Sequence, residues 1–424
     1  MKNIVITGAG PIGLYLAIRF KQIITDNKLD AKVTVIDPRV GEYGRPGVVA
    51  NMALKLLSEN IGRPISAVRE GDDTGTSMFI QDLELALYKI AKELKVNFVR
   101  AGFDDFTKKS LSIKDAESRV SSIPCDIAID CSGPKRALVK KFNEKNPEQP
   151  FEIKNVGNNP LKNHFIAYVN MDTENAERMH EKLKRDPLKR ALAFERLRTE
   201  FGWAEFTEPE FSLRTYTMEG KSEGEKRVRF YFYFEVPPAL MNSTQEKQRA
   251  WLEALISLKT ERNDIQFEIE SGKMKFIPFL VDPHKVVQPV LIEEKNGIIV
   301  IPGGDAQIEP DYRIGVGIWS GINRANALLG AVMVNRQREL MINIEQYESE
   351  VRVPIGKHES ELEKDYRIKR SSLDTVLEQQ KAIYTAALQE TSIEVEQRII
   401  QSGLDEINRR IAMNIFRQAS VEYK

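Results

Sequence analysis

The sequence predicts an α/β fold in which one domain, built on a parallel sheet, is split by an inserted domain. Three observations predict it. Residues 3–7 are an apolar, β-branched run that leads at once into Gly8-Ala9-Gly10-Pro11-Ile12-Gly13. A second such run, at 32–36, ends in Asp37. The same style returns far down the chain, where an apolar run at 297–301 leads into Gly303-Gly304-Asp305 and then Gly315-Val316-Gly317.

Each element follows from its pattern. The run 3–7 has the length and β-branching of a strand buried on both faces. Residues 11–24 read as a helix with Leu14, Ala17, Ile18 and Ile24 on one side. With the strand at 32–36 they complete a βαβ unit. Residues 82–94 carry Leu83, Leu87, Ile90 and Leu94 at helical spacing, and 96–99 reads as a third strand. Residues 125–130 form another buried strand that runs into Cys131-Ser132-Gly133.

Composition shifts after about residue 141, where Asn, Lys and Pro mark a domain connection. The inserted region alternates strand-like and charged helical runs. Its clearest strand is 227–235, with Phe230, Phe232 and Phe234 on one face and Tyr231 and Tyr233 on the other. The chain thus divides into a first domain at 1–145 and 285–345, an inserted α+β domain at 146–284, and a C-terminal helical region at 346–424. In that last region Leu404, Ile407, Ile411 and Ile415 form a stripe after Gly403, which is expected to break two helices. The stripe either packs back on the first domain or serves a protein partner or self-association.

Bulk properties narrow the function classes. Lys+Arg and Asp+Glu both number 62 in 424 residues, which leaves no net field to attract nucleic acid. No apolar run reaches the roughly 18 residues of a membrane span. The first strand begins at Asn3, with no room for a signal peptide, so a cytoplasmic protein is expected, with export lacking a cleaved signal left open. Two cysteines, Cys125 and Cys131, and four scattered histidines show no disulfide framework and no metal-ligand spacing. His284 reads as a structural or surface histidine.

The first glycine segment carries recognisable chemistry. Gly8, Gly10 and Gly13 permit a tight turn and the close approach of a diphosphate. The helix opening at Pro11 and Ile12 then presents free amides and a positive dipole end to that anion. Asp37, at the end of the second strand, is placed to accept from an adenosine ribose. This segment alone fits either FAD or NAD. The distal segment favours FAD, because a carboxylate at Asp305 can bind the hydroxyls of a ribityl chain, which only a flavin has. The helix after Gly315 and Gly317 would aim its amides at the flavin pyrimidine, where charge develops on reduction.

With these motifs the chain resembles the flavoprotein monooxygenases of the p-hydroxybenzoate hydroxylase class. Gly304-Asp305-Ala306-x-x-Glu309-Pro310 followed by Gly315-x-Gly317 is most similar to the monooxygenase domain of the MICAL proteins. The likeness extends to Asp37-Pro38-Arg39, to Arg45 and to the Gln81-Asp82-Leu83-Glu84 helix. It covers about 1–140 and 285–340. Ser132-Gly133 stands where members usually have the Asp-Gly implicated in binding FAD and NAD(P)H, Gln81 where an arginine is expected, and Gln307-Ile308 where many aromatic hydroxylases have a histidine.

The resemblance implies a glutathione-reductase-type, Rossmann-like FAD domain with an inserted substrate domain and a C-terminal helical extension. It implies FAD reduced by NADPH or NADH, and a flavin C4a-hydroperoxide that oxygenates an organic molecule or a protein side chain. Implied cofactor-binding residues are Gly8, Gly10, Pro11, Ile12, Gly13, Asp37, Pro38, Arg39, Arg45, Gln81, Cys131, Gly304, Asp305, Pro310, Gly315, Gly317 and Ile318. Trp319, Tyr231 and Tyr233 are candidates for a substrate pocket, although alternating aromatics are ordinarily core and sheet surface. No acid, base or nucleophile is assigned, since the cofactor carries the difficult chemistry. Two other readings stay open: an FAD oxidoreductase or oxidase that inserts no oxygen, and a non-catalytic FAD protein acting through its C-terminal helices. No Trp-x-Trp-x-Ile-Pro halogenase segment is present.

Overall fold

A computed structural model describes residues 1–45, 47–65, 77–156, 162–181, 185–219, 226–270, 276–311, 315–371 and 373–422. The chain forms two compact units, the first from residues 1–160 and 282–364, the second from 161–281 and 365–424.

The first unit is built on a six-stranded sheet in the order Leu291–Glu293, Ile298–Pro302, Ile127–Asp130, Lys2–Thr7, Ala31–Ile36, Asn97–Val99. All neighbours run parallel except the outermost Leu291–Glu293. The chain steps outward from Lys2–Thr7 to Ala31–Ile36 on one side and later fills the other side. The order therefore reverses beside the first strand, and such a reversal opens a crevice at the carboxyl ends of the strands. Apolar residues alternate between two layers, Ile4 and Ile6 toward a cluster with Leu14, Leu54, Leu83 and Ile322, and Val5 toward Leu138, Phe142 and Val300.

Helix Pro11–Asp26 buries ten of its residues, including Tyr15, Leu16 and Phe20, so it is wrapped by the core on far more than the one face its sequence suggests. Helix Ile80–Glu93 packs against it through Leu83 and Leu87. The helix expected after the distal glycines spans Gly317–Gly330, and Val332–Val334 pairs with Leu340–Ile342 as a hairpin. The expected connection at 141–162 holds structure of its own, the end of helix Ala137–Lys145 and a strand Ile153–Asn155 paired with His284–Val286.

The second unit is an antiparallel sheet of Phe211–Glu219, Lys226–Glu235, Lys162–Asp172, Glu268–Ile269 and Phe276–Val281. Phe230, Phe232 and Phe234 are fully buried with Phe165, Trp251 and Leu255, which is the face the alternation assigned to them. Helices Leu373–Glu390 and Glu394–Glu422 belong to this unit and pack on helix Pro187–Phe201. Leu404, Ile407 and Ile411 join the second unit's core rather than the first domain, a correction to the first of the two uses expected for that stripe. Gly403 breaks nothing: it lies inside Glu394–Glu422, where a Cβ would collide with the Tyr384 ring and the Glu195 carboxylate. The side chain of Ile415 lies outside the described residues.

Candidate functional site

Gly8 leaves the first strand at φ +111°, a conformation that glycine alone adopts without strain, and a Cβ there would strike the Cys131 carbonyl. A Cβ on Gly13 would strike the Gly8 carbonyl and stand 3.2 Å from the Cys131 Cβ. These two glycines are therefore required by the protein's own backbone. Gly10 is not: a Cβ there meets only the Arg45 Nη1 at 3.5 Å and Glu84 Oε1 at 3.8 Å, ordinary contact distances. Helix Pro11–Asp26 starts directly after Gly10 with Pro11 in its first turn and no side-chain cap, which leaves its first amides without a capping acceptor among the described residues.

Asp37 ties the second strand to this loop. One carboxylate oxygen accepts from the Ala9 amide at 2.8 Å and the Arg39 guanidinium at 3.2 Å, and the other from the Arg39 amide at 2.7 Å. Pro38 between them is exposed. Gln81 is half-buried in the first turn of helix Ile80–Glu93. One turn further along that helix stands Glu84, fully buried, its Oε1 3.8 Å from Arg45 Nε. Burial pushes the Glu84 carboxyl up to about 7, with Arg45 and Arg39 pulling the other way.

The distal segment leaves strand Ile298–Pro302 and comes to rest on the first. Gly304, at φ +54°, places its α-carbon against Ile12, where a Cβ would stand 3.3 Å from that side chain. Gly321, one turn into helix Gly317–Gly330, presses on the same Ile12, and Gly303 lies against the Cys131 sulfur. Ile12 is thus the wedge that brings the two glycine segments together. Gly317 is held by Pro310, whose ring carbons would lie 2.9 Å from an added Cβ. The helix it opens has no side-chain cap either. Gly315 is exposed, and Ile318 and Trp319 are half-buried, with the Lys357 ammonium 4.5 Å over the Trp319 ring.

Asp305 sits in the turn Gly304–Ala306. Burial raises its carboxyl above the usual range, offset by Arg45 and Arg324. Arg324 is itself 2% exposed, its three side-chain nitrogens without hydrogen-bond partners among the described residues, and burial lowers it to about 10. Cys131 is buried and its thiol is pushed up by burial and by the nearby carboxylates, so it is no thiolate at neutral pH.

Asp130 accepts from the Ser132 amide at 3.0 Å and hydroxyl at 2.6 Å, and from the amides of Leu138 and Val139 at 2.9 and 3.1 Å. The Ser132 hydroxyl in turn accepts from the Ala137 amide at 2.8 Å. The segment where the resemblance leads one to expect Asp-Gly is therefore occupied in starting helix Ala137–Lys145. Just beyond, Arg136 donates to the Ala306 and His284 carbonyls, each at 3.1 Å, and to Glu309 at 2.6 Å, clamping the distal loop.

Of the pocket candidates, Trp319 belongs to the first unit and Tyr231 and Tyr233 to the second. Tyr233 is buried and stacked on His164 at 4.8 Å, and Tyr231 lies edge-on to Tyr168 at 5.4 Å. His164, Glu210 and Glu235 bring ligand atoms within 4.8 Å of one another. The Lys162 ammonium lies 3.1 and 3.2 Å from the two carboxylates.

Sequence reasoning missed Arg136, Arg324 and Glu84. For Glu84 a signal existed, a carboxylate at a stripe position between Leu83 and Leu87. Arg324 likewise interrupts the apolar run of its helix between Ile322 and Leu328. Arg136 carries no such signal, because Ala306, His284 and Glu309, which it clamps, are more than a hundred residues away.

No known protein family matches the chain, and no curated protein matches it in sequence. Solved structures match its fold. BexE, studied for insights into oxidation during BE-7585A biosynthesis, aligns over 78% of this chain at 14% identity and a TM-score of 0.48, and the chain spans 62% of BexE. The p-nitrophenol 4-monooxygenase PnpA of Pseudomonas putida DLL-E4 aligns over 100% of this chain and 98% of its own, at 12% identity and a TM-score of 0.44. The Diels-Alderase PyrE3 of pyrroindomycin biosynthesis aligns over 95% of this chain and 80% of its own, at 14% identity and a TM-score of 0.51. At such identities the likeness is one of fold: the chain shares with PyrE3 an α/β architecture on a parallel-sheet core.

Proposed function

We propose that the first unit holds FAD and that the protein is a flavin-dependent monooxygenase drawing electrons from NADPH or NADH. The observation that carries this reading is the meeting of the two glycine segments on Ile12, with an uncapped helix N-terminus following each. The residues fit the group. Gly10 is a glycine that no neighbouring atom of the chain demands, at the place a diphosphate would approach. Asp37 would meet the adenosine ribose and Asp305 the ribityl hydroxyls, while the first amides of Gly317–Gly330 would face the pyrimidine edge. Arg45 lies beside Glu84 and Gly10 and would be the cation for the diphosphate.

When bound, FAD supplies hydride acceptance and reaction with oxygen. The chain's part is to bind and orient the cofactor and to exclude water. Its substrate would be an organic molecule or a protein side chain. No side chain of the first unit is assigned proton transfer.

A second reading is favoured by Ser132, whose hydroxyl is engaged by Asp130 and the Ala137 amide. In it the flavin takes electrons from an organic donor and no oxygen is inserted. One experiment separates the two: the absorption spectrum of the purified protein, followed by anaerobic titration with NADPH and NADH. The leading reading expects a flavin spectrum bleached by at least one nucleotide and restored by air with oxygen incorporated into product. A bleach by organic donors alone would support the second. Absence of flavin, with no binding of added FAD, would overturn both.

A further inference from the structure

Glu84 is fully buried on helix Ile80–Glu93, and neither carboxylate oxygen has a hydrogen-bond donor among the described residues. Its counter-charge is Arg45, whose Nε lies 3.8 Å from Oε1, at the outer edge of an ion pair. The same Oε1 and Arg45 Nη1 flank Gly10, standing 3.8 and 3.5 Å from where its Cβ would be. A carboxylate and a guanidinium thus border the helix N-terminus assigned to the diphosphate. The other groups that act on Glu84 are Arg39, which favours its ionised form, and Asp37, which opposes it; the Tyr43 phenol also feels its charge.

We propose that Glu84 is a positioning residue for Arg45, and that the dinucleotide binds with uptake of a proton by Glu84. The inference rests on the FAD reading above. A diphosphate at Gly10 brings two negative charges beside a carboxylate that water does not screen. It also competes for the Arg45 guanidinium, the main group keeping Glu84 ionised. Both effects favour the acid form, so the proton is drawn from solvent as the anion arrives. With Glu84 protonated, Arg45 turns its charge to the phosphates; with Glu84 ionised, that charge is shared. The carboxyl's position near neutrality makes the exchange occur at working pH.

The test is calorimetric titration of FAD into the flavin-stripped full chain at pH 7, in phosphate and in Tris, whose ionisation enthalpies differ. A half-ionised carboxylate predicts uptake of up to about half a proton per FAD. The dissociation constant should weaken by up to about tenfold per pH unit above 7, the limit for one linked proton. Glu84→Gln keeps the side chain's size. It should give equal heats in the two buffers and an affinity that is flat from pH 6 to 8.5 on the order-of-magnitude scale of that linkage. A purely structural role would instead shift the affinity equally at every pH and leave the uptake in place. Equal heats for the unmodified protein, or uptake that survives in E84Q, would overturn the proposal while leaving FAD binding intact. No binding heat, with no flavin retained, would overturn the FAD reading itself.

Discussion

The two units treat most of their helix N-termini differently, although in the first Asn343 accepts from the Gln346 amide at 3.1 Å. In the second, Asp172 accepts from the Asn175 amide at 2.7 Å, Asp186 from Lys189 at 3.1 Å, and Thr244 from Lys247 at 3.4 Å. In the first, helices Pro11–Asp26, Asn51–Ile61, Ile80–Glu93 and Gly317–Gly330 carry no side-chain cap. A cap contributes about 1 kcal/mol, so leaving these amides open forgoes stability the chain elsewhere secures. Helix Ala137–Lys145 shows what closes such an end: Asp130 reaches over from a neighbouring strand and takes its amides. Where the chain supplies its own carboxylate, no outside anion is needed. At Gly10 and Gly317 the place is left for one.

The glycines repeat the contrast. Gly13 and Gly403 both mark close packing, the first against backbone at the edge of the parallel sheet, the second against Tyr384 and Glu195 between helices. The largest expected effect comes from the first. Gly13→Val should abolish flavin retention, read as flavin absorbance per protein after gel filtration. Gly10→Ala should also weaken FAD binding but leave the apoprotein's stability within about 0.5 kcal/mol, since its Cβ meets nothing closer than van der Waals contact. Unchanged affinity in Gly10→Ala would break the assignment of this end to the diphosphate.

Next comes the pH dependence of the apoprotein. The Glu84 carboxyl lies at about 7 in the folded chain against a usual 4.5, so between those values the folded state binds a proton that the unfolded state has released. Stability from this group is therefore full below about 4.5 and is lost as pH rises through about 7. Glu84→Gln should match the unmodified apoprotein near pH 4.5, if both stay folded there, and exceed it at pH 8 by up to about 3 kcal/mol in urea unfolding. A parallel pair of pH–stability curves would refute this.

Smaller effects should come from the second unit and spare the cofactor. Gly403→Ala forces a methyl group against Tyr384 and Glu195 and should destabilise by about 2 kcal/mol in chemical denaturation, with flavin stoichiometry unchanged. Asp172→Ala removes a cap and should lower stability by about 1 kcal/mol, again with full flavin content. Loss of flavin in either variant would show that the contrast between the units is false.

Residues whose neighbours are close in sequence determined much of this protein directly. The β-branched runs, the spacing of Gly8, Gly10 and Gly13, and the Phe230-Phe232-Phe234 alternation were legible because their geometry has a period of two or is confined to one turn. The buried face of 11–24 was legible only in part, since periodicity reveals a polar side and this helix has almost none. Gly403 was misread because glycine's weak helix propensity is a local rule, and the space between Tyr384 and Glu195 overrides it. The destination of the Leu404 stripe was equally beyond a sequence pattern, which marks an apolar face without naming its cover. Tertiary structure alone decided that Ile12 joins two segments about three hundred positions apart, that Arg136 clamps the distal loop, and that Glu84 is fully buried beside a partly exposed Arg45. Contacts between distant segments leave no period in the chain, and a carboxylate's burial is set by what folds over it.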